Sequence, residues 1–174
     1  AAAAHYSQYM LERAGIKERF VTNFSRQRSR LALMETDAFQ SLLLHVGVAL
    51  RSGDIRRELD RTRQTQIREA IGNDLFDFAV RIAPLYGEMP SLDVAVRDLD
   101  YADRCSLIGA KYAIDKTAAR DRAYLIRFCW KLPRSVAEVL SDINWTDDGS
   151  ADLPPLVRRI IKDRFQTWRP LFDL

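Results

Sequence analysis

The sequence predicts an all-α fold, and three observations carry that prediction. Apolar residues recur three and four apart along most of the chain, and no stretch alternates with period two. Gly, Pro, Ser, Asp and Asn punctuate the periodic stretches where helices are expected to start and stop. The chain has 174 residues, 47% of them hydrophobic, which is enough to bury one substantial core. The expectation is a single compact, non-repeat bundle of about seven to nine helices. An N-terminal helical segment over 1–35, truncated or tagged, precedes a helical core domain over 36–174. The run Ala1–Ala4 is set aside as a tag remnant or truncation scar.

Taken in order, residues 6–14 form a short helix ended by Gly15. The basic stretch 17–33 brings Phe20 and Phe24 toward the core and ends near Leu31 and Leu33. Thr36 or Asp37 then caps a helix whose broad apolar face is Phe39, Leu42, Leu43, Val46, Ala49 and Leu50, widened by Leu44 and Val48. Such a face belongs to a central helix. In "LLLHVGVALRSGDIRR" (42–57), Gly53 suits a left-handed position after that helix, and Asp54 suits the cap of the next. Ile55, Leu59, Ile67 and Ile71 are the apolar members of the following segment, which Thr62 or Thr65 breaks. Gly72-Asn73 ends it and caps a helix with Leu75, Phe78, Ile82 and Leu85 on one side, stopped or kinked by Pro84. Ser91 caps a helix whose face (Leu92, Val96, Leu99, Ala102, Ser106, Gly109, Ala113) is small enough for close packing on a neighbour. Helices over 117–131 (before Pro133), over 135–143, and from Pro154-Pro155 onward complete the chain. The last presents Val157, Ile160, Ile161, Phe165 and Trp168.

Charge and chemistry narrow the function. The apolar run 42–50 is about half of the ~20 residues a membrane span needs. Cys105 and Cys129 are far apart and sit in helical, apolar settings, so they are expected to be reduced thiols of a cytosolic protein. His45 lies in an apolar helix and is expected as a core or half-buried residue rather than a ligand or base. Zinc spacing and a glycine-rich phosphate loop are both missing from the sequence. The acidic residues Asp93, Asp98, Asp100 and Asp103 do not repeat a di-iron pattern, and 147–152 lacks the spacing of a calcium loop. No enzyme, cofactor or metal is therefore expected. The cations are 22 Arg and 5 Lys, a bias that suits paired contacts with carboxylates or phosphates, or reflects an arginine-rich genome. Arg56, Arg57, Arg61, Arg63 and Arg68 raise nucleic-acid binding as the alternative. Over 51–69, however, six Arg meet four acids, a poor phosphate track. A basic 17–30 and an acidic 74–103 favour pairing within the fold or steering of charged protein partners.

"LLLHVGVALRSGDIRR" (42–57), "IREAIGNDLFDFAV" (67–80), "IRFCWKLP" (126–133) and "LVRRIIKDRFQTWRPLF" (156–172) resemble the YscK/SctK family of type III secretion systems. "AHYSQYML" (4–11) is loosely similar to the family's N-terminal segment. The resemblance implies a helical, non-enzymatic accessory protein of the cytoplasmic sorting platform. It would sit at the cytoplasmic face of the bacterial inner membrane, held there through protein partners. It would join the cytoplasmic domain of the ring protein SctD to the SctQ pods, with SctL and the ATPase SctN further inward and no nucleic acid bound. In such an adaptor, Arg51, Arg56 and Arg57 are candidates for charge-assisted contacts with one partner, or else bridge acids internally. Trp145, Trp168 and Phe172 are candidates for an aromatic anchor on the other, or else close the core.

Overall fold

The structure, a computed structural model, describes residues 24–87, 99–114, 122–142 and 152–174, together with Met10 and Arg13. The described residues hold nine α-helices and no strand. α1 (Gln27–Arg30) runs into a 3-10 turn, Leu31–Leu33. α2 (Thr36–Leu50) is followed after Arg51 by α3 (Ser52–Arg57), then α4 (Arg61–Ile71) and α5 (Asn73–Asp77). α5 widens into π geometry over Phe78–Ile82 and closes with a 3-10 turn, Ala83–Tyr86. α6 (Tyr101–Ala113), α7 (Arg122–Trp130), α8 (Arg134–Asp142) and α9 (Pro155–Arg164) follow, and a 3-10 stretch, Gln166–Phe172, ends the chain.

Two glycines set the centre. A Cβ built on Gly47 in α2 would overlap the Cys105 carbonyl of α6, and one on Gly109 in α6 would overlap the Leu43 carbonyl of α2. Residue 47 faces 105 while 43 faces 109, so α2 and α6 run antiparallel with their backbones in contact. The same register places Arg51 over the ring of Tyr101, 5.9 Å from its centroid. The small-residue face expected around Gly109 thus meets its neighbour, and Gly47 supplies the matching gap.

Around this pair the core fills as the periodicity demands. Phe39, Leu42, Leu43, Val46, Val48 and Ala49 of α2 are fully buried. Phe39 stacks on Phe128 of α7 with ring centroids 5.5 Å apart. Val136 and Leu140 of α8 and Val157, Ile160 and Ile161 of α9 join the same cluster. Each such side chain contributes about 1.5–3 kcal/mol when fully removed from water. Leu31, Ala32 and Met34 belong to this core too, so the residues just before 36 pack with those after it. They are tied to the far end of the chain: Gln27 Nε2 donates to the Phe172 carbonyl at 2.7 Å, and Arg30 Nη1 donates to the Leu171 carbonyl at 3.0 Å and pairs with Asp173 at 2.6 Å. Arg28, 4% exposed, donates from Nε to the Asp152 carbonyl at 2.8 Å. Part of the basic stretch 17–30 is therefore internal fastening rather than a solvated face.

Several local expectations are corrected. Glu35, in extended backbone, is the cap position of α2, and neither Thr36 nor Asp37 caps it. Gly53 lies inside α3 with ordinary helical backbone, and Asp54 stands in the first turn of that helix rather than before it. The chain instead breaks at Glu58–Asp60, where Asp60 Oδ1 accepts from the Thr62 amide at 2.8 Å and caps α4. Leu59 therefore leaves the apolar face assigned to it and is 89% exposed. Leu85 is 71% exposed, because the π-widened turn before Pro84 rotates the following residues off the α-helical register. α6 starts at Tyr101, capped by Asp100 Oδ1 accepting from the Asp103 amide at 2.7 Å, and does not run on from Ser91. Gly72 performs as expected: its φ of 84° ends α4 and turns the chain into α5. The helix over 6–14, Phe20, Ser91, Leu92, Val96, the start of the 117–131 helix and Trp145 lie outside the described residues.

Candidate functional site

The antiparallel register of α2 and α6 builds one surface at the C-terminal end of α2. Arg51 follows α2 directly and lies across Tyr101, the first residue of α6. Its Nη2 pairs with Asp54 at 3.2 Å. α3 then carries Arg56 and Arg57 outward, both exposed, and among the described residues neither pairs with a carboxylate. After the break at Glu58–Asp60, Arg63 reaches back to Glu58 at 3.6 Å, and Gln64 Nε2 donates to the Glu58 carbonyl at 2.6 Å. Arg68 lies over the Phe76 ring at 4.3 Å. Of the arginines in this segment, then, Arg51, Arg63 and Arg68 are partly engaged, whereas Arg56 and Arg57 offer whole guanidinium groups to solvent.

Between α3, α4 and the first turn of α6 lies a cleft of ≈ 350 Å³, bordered by Arg51, Asp54, Glu58, Arg63, Tyr101 and Arg104, with Ile55 and Ile67 as its apolar wall. The Nε atoms of Arg51 and Arg104 are both buried and without a hydrogen-bond partner. A buried donor left unpaired costs about 1–3 kcal/mol. Burial raises the pKa of the Tyr101 hydroxyl, and burial likewise pushes the Cys105 thiol up to about 12 against the opposing pull of Arg51 and Arg104. Cys105 is therefore a protonated packing residue and a poor nucleophile.

A second surface sits at the opposite end of α2. Lys131 Nζ donates to the Met34 carbonyl just before that helix, and Gln40 Nε2 donates to the Lys131 carbonyl at 2.7 Å. These bonds hold Trp130 beside the N-terminal turn of α2, where it is 63% exposed. Trp168 is half-buried and packs on the core. Phe172 is fully buried, which corrects its candidacy as a surface anchor: its ring closes the core, and its carbonyl accepts from Gln27.

A third feature is a cleft of ≈ 670 Å³ beside His45, lined by Ser41, Ile71, Leu75, Phe78, Arg164 and Phe165 among others. His45 Nδ1 donates to the Ser41 carbonyl at 2.7 Å, and its ring meets Phe78 and Phe165 edge-on at 5.4 and 5.3 Å. Burial lowers its pKa, with the Arg164 charge adding to the effect and the Ser41 bond opposing it. It is a half-buried, internally bonded histidine, as its apolar helix predicts. Among the described residues no group of His, Cys, Asp and Glu could hold a metal ion. None of the helices there is long and apolar enough to cross a membrane.

Sequence reasoning missed Arg104 and Trp130, and it placed Leu59 on an apolar face that the fold does not bury. Arg104 is flanked by Asp100 and Asp103 and merges into an acidic stretch; only the α2–α6 register brings it to Arg51. Trp130 closes an apolar helix and gives no sign that it faces outward.

The fold and these surfaces define a helical scaffold, with a cationic end and an aromatic end on one rigid helix pair. The chain belongs to the YscK family: the family model for YOP proteins translocation protein K (YscK) matches residues 2–138. It is therefore a type III secretion protein, from a family of secretion accessory proteins. The match takes in α1 to α7 and most of α8, including both ends of α2. No curated protein and no solved structure matches the chain.

Proposed function

We propose that this chain is a non-enzymatic adaptor of the cytoplasmic sorting platform. It joins the cytoplasmic domain of the ring protein SctD to the SctQ pods that carry SctL and SctN, and works at the cytoplasmic face of the inner membrane. One observation carries the reading: two exposed surfaces of different chemistry stand at opposite ends of the same helix. The cationic one (exposed Arg56, Arg57 and Leu59, with half-buried Arg51 at its base) follows Leu50. The aromatic one (Trp130) adjoins Met34 and Gln40. The helix between them has 15 residues, so they lie roughly 22 Å apart at 1.5 Å per residue. A body whose central helices meet backbone to backbone and which presents two distant faces suits a link between two proteins.

The test is co-purification of the full chain with the SctD cytoplasmic domain and, separately, with SctQ, followed by a ternary mixture. Simultaneous binding of both is the expected outcome. Failure to retain either at micromolar concentration removes the adaptor reading. Binding to random DNA that weakens steeply with added salt would favour the nucleic-acid alternative instead.

A further inference from the structure

Arg51, at the joint between α2 and α3, and Arg104 of α6 border the same cleft. Each has its Nε removed from water and without an acceptor, so part of each guanidinium charge is neither hydrated nor bonded. Arg63, 70% exposed, stands at the rim. The two acids already present hold their arginines through single contacts, Asp54 to Arg51 at 3.2 Å and Glu58 to Arg63 at 3.6 Å. Three guanidinium groups thus meet two carboxylates around ≈ 350 Å³ of space, and the balance is one positive charge in excess. Exposed arginines such as Arg56 and Arg57 keep their hydration and gain little from an ion pair. An under-hydrated guanidinium fixed in a cleft gains more, because less water is displaced and the local dielectric is lower.

We propose that this cleft is a socket for a single carboxylate, the side chain of an Asp or Glu projecting from a partner protein, clasped between Arg51 and Arg104 with Arg63 closing over it. Its two resident acids favour a monoanion over a doubly charged phosphate. Ile55 and Ile67 would pack on the methylenes of the incoming residue. The socket deepens the adaptor reading and rests on it only for the identity of the partner.

Two measurements test it separately. The first uses no partner: the Nε–Hε resonances of Arg51 and Arg104, slow to exchange because they are buried, are followed by NMR in the wild-type chain. Titration is with sodium acetate, sodium phosphate, or sodium chloride at matched ionic strength. Both resonances are expected to shift together and saturate with acetate, and to stay near their starting positions with chloride. No saturable shift with acetate, or a response to phosphate alone, overturns the carboxylate socket. The second is calorimetric titration of the SctD cytoplasmic domain and of SctQ into wild type, Arg104→Gln, Arg63→Gln and Arg61→Gln. One partner is expected to lose about ten-fold or more in affinity to Arg104→Gln. A smaller loss is expected with Arg63→Gln, an exposed substitution that leaves the fold intact, and little change with Arg61→Gln outside the cleft. Equal effects at Arg61 and Arg63 would overturn the docking role. If neither partner binds wild type, the adaptor reading fails, while the acetate titration still decides the socket.

Discussion

The α2–α6 pair and the segment from Ser52 to Ile71 adjoin in sequence and differ in almost every physical respect. Seven of the 15 residues of α2 are buried, and its backbone touches that of α6 at two glycines. In α4, by contrast, only Ile71 is buried among 11 residues, and its polar faces meet water. Stability and recognition are therefore separated along the chain. The pair supplies a body that resists deformation, and the segment supplies guanidinium groups that cost the fold little to alter. A surface patch can change its partner without unfolding its support only when the two are divided in this way.

The comparison can be broken most forcefully in the core. Phe128→Ala removes the ring stacked on Phe39 and should cost about 3–5 kcal/mol in urea unfolding. An unfolding midpoint indistinguishable from wild type would mean that α7 does not pack on the pair. Next comes Gly109→Ala, which adds one methyl against the Leu43 carbonyl and should cost about 1–3 kcal/mol, or more if the helices cannot separate. Circular dichroism melting would reveal it, and a stabilised variant, the usual result of replacing an exposed helical glycine, would rule out the backbone contact. A smaller effect is expected from pH. His45 has a lowered pKa in the folded state, so below its ordinary value of 6.5 the unfolded chain binds the proton more readily. Its contribution is complete above that pH and is lost as pH falls toward the depressed folded value. Melting at pH 7.5 and 5.5 should show a decline that His45→Gln diminishes; an identical decline in both proteins would assign it elsewhere. The smallest effect on stability belongs to Arg56→Gln with Arg57→Gln, expected within about 0.5 kcal/mol of wild type. A drop of several kcal/mol there would erase the distinction between the two regions.

Much of the pair was legible in sequence because burial imposes a period that survives at the level of residue type. Phe39, Leu42, Leu43 and Val46 mark their face unaided, and the small residues leading to Gly109 announce a close neighbour. Gly47 carried no such mark: a lone glycine in an apolar helix does not tell that a carbonyl lies against it. The segment was less readable because its helices are short and its few apolar residues do not determine a phase. Gly53 and Asp54 look like a stop and a start, yet a glycine with open space around it also fits inside a helix. The true break came at Asp60, whose side chain accepts from the Thr62 amide. The arginine cleft was the least visible part of all. Arg51 and Arg104 are 53 positions apart, and only the antiparallel register joins them. Phe172 lies close to Trp168 in sequence, but the 3-10 stretch sends one ring fully inside and leaves the other half out.

The bonds from Gln27 and Arg30 to residues 171–173 also govern the order of assembly. They join partners more than 140 positions apart, the most distant contacts described in the fold. In folding they close the longest loop described, so they form after the local helical contacts and lock the 27–30 stretch in place last.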